Sequence, residues 1–516
     1  MRLKIYAWMD NRQKTCPDKD KLFQKGGFMN KKRQAGILMP VASLPSSYGV
    51  GDFGKEAYAF ADHIRRMGFS VWQILPLNPL GYGNSPYQPY SSYAGDPIYI
   101  SLEKLAEDGL LDEVPKEFNK DSDHIDYEAV RSYKDEYLRK AFKKFDPDES
   151  YKEFATQEWV YQYGVFYMLK WKNDRKCWLD WKEEDKLWMT NKSREFTAEE
   201  EEEILFQMFL QYTFYCQWME LKGYVNSLGI KVMGDVPFYV GIDSLDVWAN
   251  SKCFLLDENF RPTYIAGVPP DYFSPTGQRW GNPIYDWEYL KETDYKFWME
   301  RIGYNQTLFD IVRIDHFRAF DTYWKIPASC PTAIEGEWIE APGYDVFDHL
   351  LALYPDIEIV IEDLGDLRPE VGVLRDHFGF KGMKVYQFSL DPDEKNNDFP
   401  DRENLILYTG THDNQTIKGW YLTKSEETEK EVDDLLKEKK CTEEKLGHRF
   451  IHAVFQSIAQ LSVVTVQDIL DLGDEARINR PGTTGSPNWE WRITGFEEIE
   501  KAEEIIKTII EKTNRN

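Results

Sequence analysis

Residues 309–320 read FDIVRIDHFRAF. Phe309, Ile311, Val312 and Ile314 are apolar and β-prone, as in a buried strand. Arg313, Asp315, His316 and Arg318 then arrive within six positions. Burying such groups is costly unless they are paired. The stretch is therefore either a satisfied ion pair at a strand end or part of an active site. Other apolar runs end in the same way. Asp235 closes one in GDVPF, and Glu362, Asp363 and Asp366 close another in IEDLGD. Thr411, His412, Asp413 and Asn414 end a third, and Gln467 and Asp468 a fourth. Carboxylates with two His and one Arg permit metal binding, or glycosidic cleavage by a carboxylate nucleophile and a carboxylic acid. The His residues show neither close pairs nor His-x-His spacing, which weighs against a metal site. For any one of these Asp residues a structural ion pair is the competing reading. For the whole set that reading weakens.

Something must bring these ends together. Eight continuous apolar runs occur, at 35–43, 70–78, 229–240, 309–317, 357–365, 382–390, 405–413 and 463–470. Continuous rather than alternating runs read as strands buried on both faces. Helical patterns lie between most of them, at 54–68, 293–309, 368–378 and 443–460, and 495–510 closes the chain. Strands alternating with helices predict an α/β fold, a (β/α)8 TIM-type barrel. Such barrels carry their chemistry at the C-terminal ends of the strands, which is where these polar groups fall.

Residues 1–34 read as a flexible extension. The codons for Lys25-Gly26-Gly27 can spell a purine-rich ribosome-binding site before Met29, so initiation at Met29 is expected. Residues 35–100 read as the first part of the barrel and 101–215 as a mainly helical insertion after the second strand. Residues 216–516 read as the remainder. In 197–229 Thr197 can cap a long helix whose first turns carry Glu, where the helix dipole favours anions.

The formal charge of −26 and pI near 4.9 disfavour nucleic acid and anionic lipid as partners. Aromatics at 15% exceed what a core needs. Those in loops suit stacking on sugar rings. Six Cys with no CxxC pair fit reduced thiols in a cytoplasm. No run of about 18 apolar residues and no secretory h-region occurs, so no membrane span is expected.

Several long segments occur in the order found in one family. They include LPSSYGVGDFG (44–54), LPLNPLGYGNSPYQPYSSYAGDP (75–97), GDVPFYV (234–240) and AGVPPDYFSPTGQRWGNPIYDW (266–287). VRIDHFRAF (312–320), IEDLG (361–365), TGTHDN (409–414) and PGTTGSPNW (481–489) complete the set. From about residue 34 the chain resembles the amylomaltases, the 4-α-glucanotransferases or disproportionating enzymes. The resemblance implies a nucleophile at Asp315 and an acid/base at Glu362. It implies a third carboxylate at Asp413, which holds the sugar hydroxyls. A retaining mechanism would place the first two carboxyls about 5–5.5 Å apart. Arg313 beside Asp315 should keep that pKa low. Asp235, Arg313, His316 and His412 are expected to bind substrate. Tyr82 and Tyr87 resemble sugar-stacking positions. The Gly- and Pro-rich loop after strand three is expected to be an irregular acceptor-side lid (266–287), with Asp271, Phe273 and Trp280 facing glucan.

The expected partners are α-1,4-glucans and maltooligosaccharides such as those from starch or glycogen, with glucose as acceptor. No cofactor and no metal is implied. The chain is expected to be cytoplasmic, and a monomer or weak homodimer. An α-amylase-like hydrolase shares the motifs in outline, a metal-dependent hydrolase would respond to EDTA, and a non-catalytic glucan-binding protein would lack a carboxylate. The lid and insertion favour transfer over hydrolysis.

Overall fold

In the computed structural model, the residues described are 32–192, 194–270, 274–365, 367–390 and 402–515. The expected extension before Met29, together with Cys16, lies outside them. The eight apolar runs all form strands: β1 (Gln34–Leu38), β2 (Val71–Gln73), β3 (Lys231–Val236), β4 (Ile311–Ile314), β5 (Ile359–Ile361), β6 (Gly382–Val385), β7 (Leu405–Tyr408) and β8 (Leu461–Thr465). They pair in parallel in the order β6-β7-β8-β1-β2-β3-β4-β5. A parallel bridge between Val360 and Lys381 closes the β5–β6 seam, so the sheet is a (β/α)8 barrel. Every residue of β2, β4, β5, β7 and β8 is buried. That explains the unbroken apolar runs.

All eight runs outlast their strands, and two of them continue as α-helix. After β6 the chain turns into the helix Tyr386–Leu390, and after β8 into Val466–Leu470. Thr465 caps the second through Asp468 N–H. A short apolar run does not distinguish a strand from one turn of buried helix.

The helices surround the sheet. Lys55–Met67 ends at Gly68, whose φ of 97° is the left-handed conformation that favours glycine at a helix end. It packs against the closing helix Glu497–Lys512, where His63 and Arg66 both meet Glu503. Between β2 and β3 lie helices Leu102–Glu107, Tyr127–Phe142, Glu149–Ala155 and Glu158–Lys172, then the 30-residue Ala198–Ser227. The last begins with a reciprocal capping box between Thr197 and Glu200. Buried Lys134 ties Tyr127–Phe142 to the segments that follow β1 and β2. Its Nζ donates to Asp52 Oδ2 and to the carbonyls of Ile98 and Ile100. From Arg33 onward the chain forms one compact unit.

The region expected to be an irregular lid is instead part of a second sheet. Four antiparallel strands run in the order Gln278–Pro283, Tyr264–Val268, Thr322–Pro327, Glu337–Glu340. The Gly and Pro residues of 266–283 mark a hairpin with a register shift between Ile265 and Gly267. Among the described residues no helix is long and apolar enough to cross a membrane.

Candidate active site

The barrel register brings the polar strand ends together. Asp235 at the end of β3 lies opposite Arg313 of β4. Asp315 follows two residues later, on the same side of the strand. Gly234, which precedes Asp235 and faces the other way, leaves room for Phe309, whose ring a Cβ there would meet at 2.1 Å. Arg313 Nη1 donates to Asp235 Oδ2 at 2.5 Å and to Asp315 Oδ1 at 3.1 Å. The expectation for Asp235 is that it binds substrate. Its side chain is instead fully buried beneath Arg313, while that of Asp315 is 29% exposed. The Tyr87 hydroxyl donates to the same Asp235 oxygen at 2.8 Å.

From Tyr87 the network continues to the β7 end. Its ring stacks on His412 with centroids 5.1 Å apart and planes 17° from parallel. His412 Nε2 lies 3.4 Å from Asp413 Oδ2. Asn479 Nδ2 donates to Asp413 Oδ1 at 2.7 Å, and Arg477 Nη2 to the Asp413 carbonyl at 2.7 Å. Trp489 packs against both His412 and Tyr87, 5.9 Å away in each case. Sequence reasoning did not single out Arg477, Asn479 or Trp489. The available signal was the Gly/Pro-rich PGTTGSPNW, which follows Arg477 and Asn479 and ends in Trp489.

Glu362 approaches from β5. Its Oε2 accepts the His316 N–H at 2.9 Å and its Oε1 the Leu364 N–H at 2.8 Å. Its carboxyl therefore sits on the peptide that joins Asp315 to His316. His316 adopts a left-handed φ of 52°, a conformation uncommon outside glycine. Trp280 meets the His316 ring edge-on at 5.0 Å, and Tyr239 lies 6.1 Å away. Asp271 and Phe273 lie outside the described residues, as do Asp366 and the side chain of Tyr82.

Other strand-end groups do different work. Asp363 is held by Arg375 and by Met383 N–H. Asp468 accepts from Thr409 Oγ1 and Ile417 N–H, and Gln467 donates to the Ala476 carbonyl. These serve the scaffold. Among the described residues no group of three or more His, Cys, Asp or Glu side chains is placed to hold a metal ion.

The electrostatics separate the three central carboxyls. Burial, then the negative charge of Asp315, pushes Glu362 up to about 7. Burial also pushes Asp315 up to about 6: the attraction of Arg313 opposes this but does not win, because Asp235 and Asp413 add negative field. The expectation that Arg313 would hold Asp315 low is thus corrected, since the guanidinium is shared with Asp235. Burial acts upward on Asp413 too, but His412 and Asn479 outweigh it and bring it down to about 2. Burial, with Arg318 nearby, lowers His316 to about 3, so its imidazole is neutral. The cleft therefore holds one firmly ionised carboxylate and two whose protons are exchangeable near neutrality. Of these two, only Asp315 touches a cation.

Residues 39–498 match the family model described as 4-alpha-glucanotransferase. The 4-alpha-glucanotransferase of Thermus thermophilus is 41% identical over 480 residues, 90% of this chain and 95% of the relative. That of Clostridium butyricum is 42% identical over 468 residues, 88% and 95% respectively. The solved structure of the amylomaltase from Streptococcus agalactiae in complex with acarbose has a TM-score of 0.88 at 35% identity, covering 94% of this chain and all of that one. With sequence and barrel geometry matched over nearly the whole length, the chain belongs to the 4-alpha-glucanotransferase family.

Proposed function

We propose that this 4-alpha-glucanotransferase moves α-1,4-glucan segments between chains by a retaining double displacement centred on Asp315 and Glu362. One observation carries the assignment: the Glu362 carboxyl rests on the peptide beside Asp315, yet only Asp315 is paired with Arg313. The pair therefore divides into an ionised Asp315 and a protonated Glu362. The Asp315 carboxylate attacks the anomeric carbon. The glycosidic C–O bond breaks, and Glu362 gives its proton to the departing oxygen. In the second step Glu362, now a carboxylate, takes a proton from the acceptor's 4-hydroxyl. That oxygen forms the new glycosidic bond as the Asp315 ester breaks.

Asp413, fixed by Asn479 and His412, accepts hydrogen bonds from the hydroxyls of the reacting glucose. His316, with Trp280 against it, and Tyr87 shape the sugar pocket. Asp235 acts from below through Arg313 and Tyr87. The segment 266–287 is read as the acceptor-side wall, and 101–215 as an insertion on the barrel.

Maltooligosaccharides and starch- or glycogen-type glucans are the proposed substrates, with glucose as an acceptor. The acarbose held by the Streptococcus agalactiae amylomaltase is consistent with that class. A cytoplasmic location fits the five cysteines outside any disulfide among the described residues, and a monomer or weak homodimer is the proposed state. Incubation with maltotriose tests the reaction. Glucose plus a ladder of longer maltodextrins is expected, whereas a plain run-down to glucose and maltose would overturn transfer.

A further inference from the structure

The second sheet carries an exposed aromatic surface that the reaction at Asp315 does not use. Trp338 lies in the edge strand Glu337–Glu340 and is 41% exposed. It pairs in register with Trp324, their rings 5.2 Å apart at 62°. Trp324 is fixed in turn. Its Nε1 donates to the Ala333 carbonyl, and a Cβ on Gly336 would lie 2.5 Å from its ring. The Arg318 guanidinium covers part of Trp338 at 4.1 Å from the ring centroid. Single exposed aromatics are ordinary, and Trp171 under Arg175 is about as open, so exposure alone gives no reason to assign Trp338 a role.

Its position supplies one. Arg318 follows His316 by two residues, in the helical turn Phe317–Phe320 that leaves the site. The same sheet ends at its other side in the strand that carries Trp280, which touches His316. Three interstrand spacings, about 14 Å, separate the two outer strands. The geometry points to Trp338 and Arg318 as an outer subsite for an α-1,4-glucan chain. There the apolar face of a glucose unit stacks on the open indole, which the Arg318 guanidinium backs. In this proposal the subsite sits at the far edge of that sheet from Trp280, where a chain has to extend outward from the reacting centre to reach it. It therefore contributes to long chains and not to short ones. This rests on the reading of the cleft as a glucan site.

The test compares Trp338→Ala, Trp338→Gln and Trp338→Tyr in the full chain, with maltotriose and with long amylose as substrates. Thermal melting is recorded for each variant. For Ala and Gln, the KM for amylose is expected to rise about three- to tenfold. Their kcat/KM on maltotriose should stay within about twofold of the parent, and Tyr should restore most of the amylose KM. Mobility in amylose-containing native gels, which needs no turnover, should report the same order. Equal losses on both substrates, or amylose parameters unchanged in every folded variant, overturn the subsite. Parent turnover of maltotriose reports separately on the catalytic reading. If that fails, the function fails rather than the subsite.

Discussion

Arg313 reaches Asp235 at 2.5 Å and Asp315 at 3.1 Å through a single nitrogen. The shorter contact belongs to the fully buried acid, not to the one that faces the cleft. A buried guanidinium must be compensated, and Asp235 does this from below. Asp315 is left only partly neutralised, with its pKa raised and its charge open to a substrate. A nucleophile held tightly by its own cation would be a poorer one.

This arrangement sets the pH dependence. Asp315 acts ionised, so activity falls as pH drops through about 6. Glu362 acts protonated, so activity falls as pH rises through about 7. A narrow bell in kcat/KM with those two limbs is expected from initial rates on maltotriose. Asp235→Asn removes a charge that raises Asp315 and leaves Arg313 to pair with Asp315 alone. Its acid limb should therefore move to lower pH while the alkaline limb moves less. An acid limb that stays in place would show that Asp235 does not tune the nucleophile.

The two central carboxyls should fail differently. Asp315→Asn removes the atom that forms the covalent bond and should lower kcat at least about 10⁴-fold on any donor. Glu362→Gln should cost about 10²–10⁴-fold on maltotriose. It should cost far less on α-glucosyl fluoride, whose leaving group needs no proton. Measuring fluoride release by both variants separates the roles. Equal loss with the fluoride donor would reverse or void the assignment of Glu362 as the acid.

The barrel was legible because each strand is buried on both faces, which leaves unbroken apolar runs such as that of β4. The ends of those runs were less so. Apolar text continues from β6 into Tyr386–Leu390 and from β8 into Val466–Leu470, and composition over five residues does not show where pairing stops. Asp363 and Asp468 resemble Asp315 by type and place. What makes them scaffold is Arg375 and Thr409, which only the folded chain brings alongside. Asn479 was invisible for the opposite reason. It is a common residue type, 66 positions from Asp413, and the Gly/Pro-rich stretch after it marks a loop without pointing to Asp413. The raised pKa of Asp315 is not legible in the sequence, because a neighbouring Arg says nothing about how deeply the carboxyl is buried or about a second carboxylate across the strand pair.

Asn479 gives the most direct test of how Asp413 is held. Its amide donates at 2.7 Å to a carboxylate that His412 approaches from the other side. A hydrogen bond to a charged group contributes about 1.5–3 kcal/mol. Asn479→Ala should then lower kcat about 10- to 100-fold if Asp413 holds the sugar more tightly in the transition state than in the ground state. Unfolding temperature should change little, since the contact lies at the cleft and not in the core. A rise in KM with kcat unchanged would instead mean that Asp413 binds donor and transition state equally.

Stability should depend heavily on a group far from the chemistry. Lys134 is buried to 1% exposure, and its ammonium is met by Asp52 Oδ2 and two carbonyls. Burial lowers the Lys134 pKa even with Asp52 beside it, and it raises the Asp52 pKa despite Lys134. For both partners, loss of water therefore outweighs their mutual attraction, and the pair is retained because neither can be left alone. Lys134→Met keeps the volume but strands Asp52 and the carbonyls of Ile98 and Ile100. A loss of about 3–5 kcal/mol is expected in denaturant unfolding. Lowering the pH should recover part of that loss, because a protonated Asp52 no longer needs the ammonium. The double variant Lys134→Met/Asp52→Asn should recover more than the sum of the single changes allows. Strict additivity would place the stabilisation in the packing of the lysine stem and not in the ion pair.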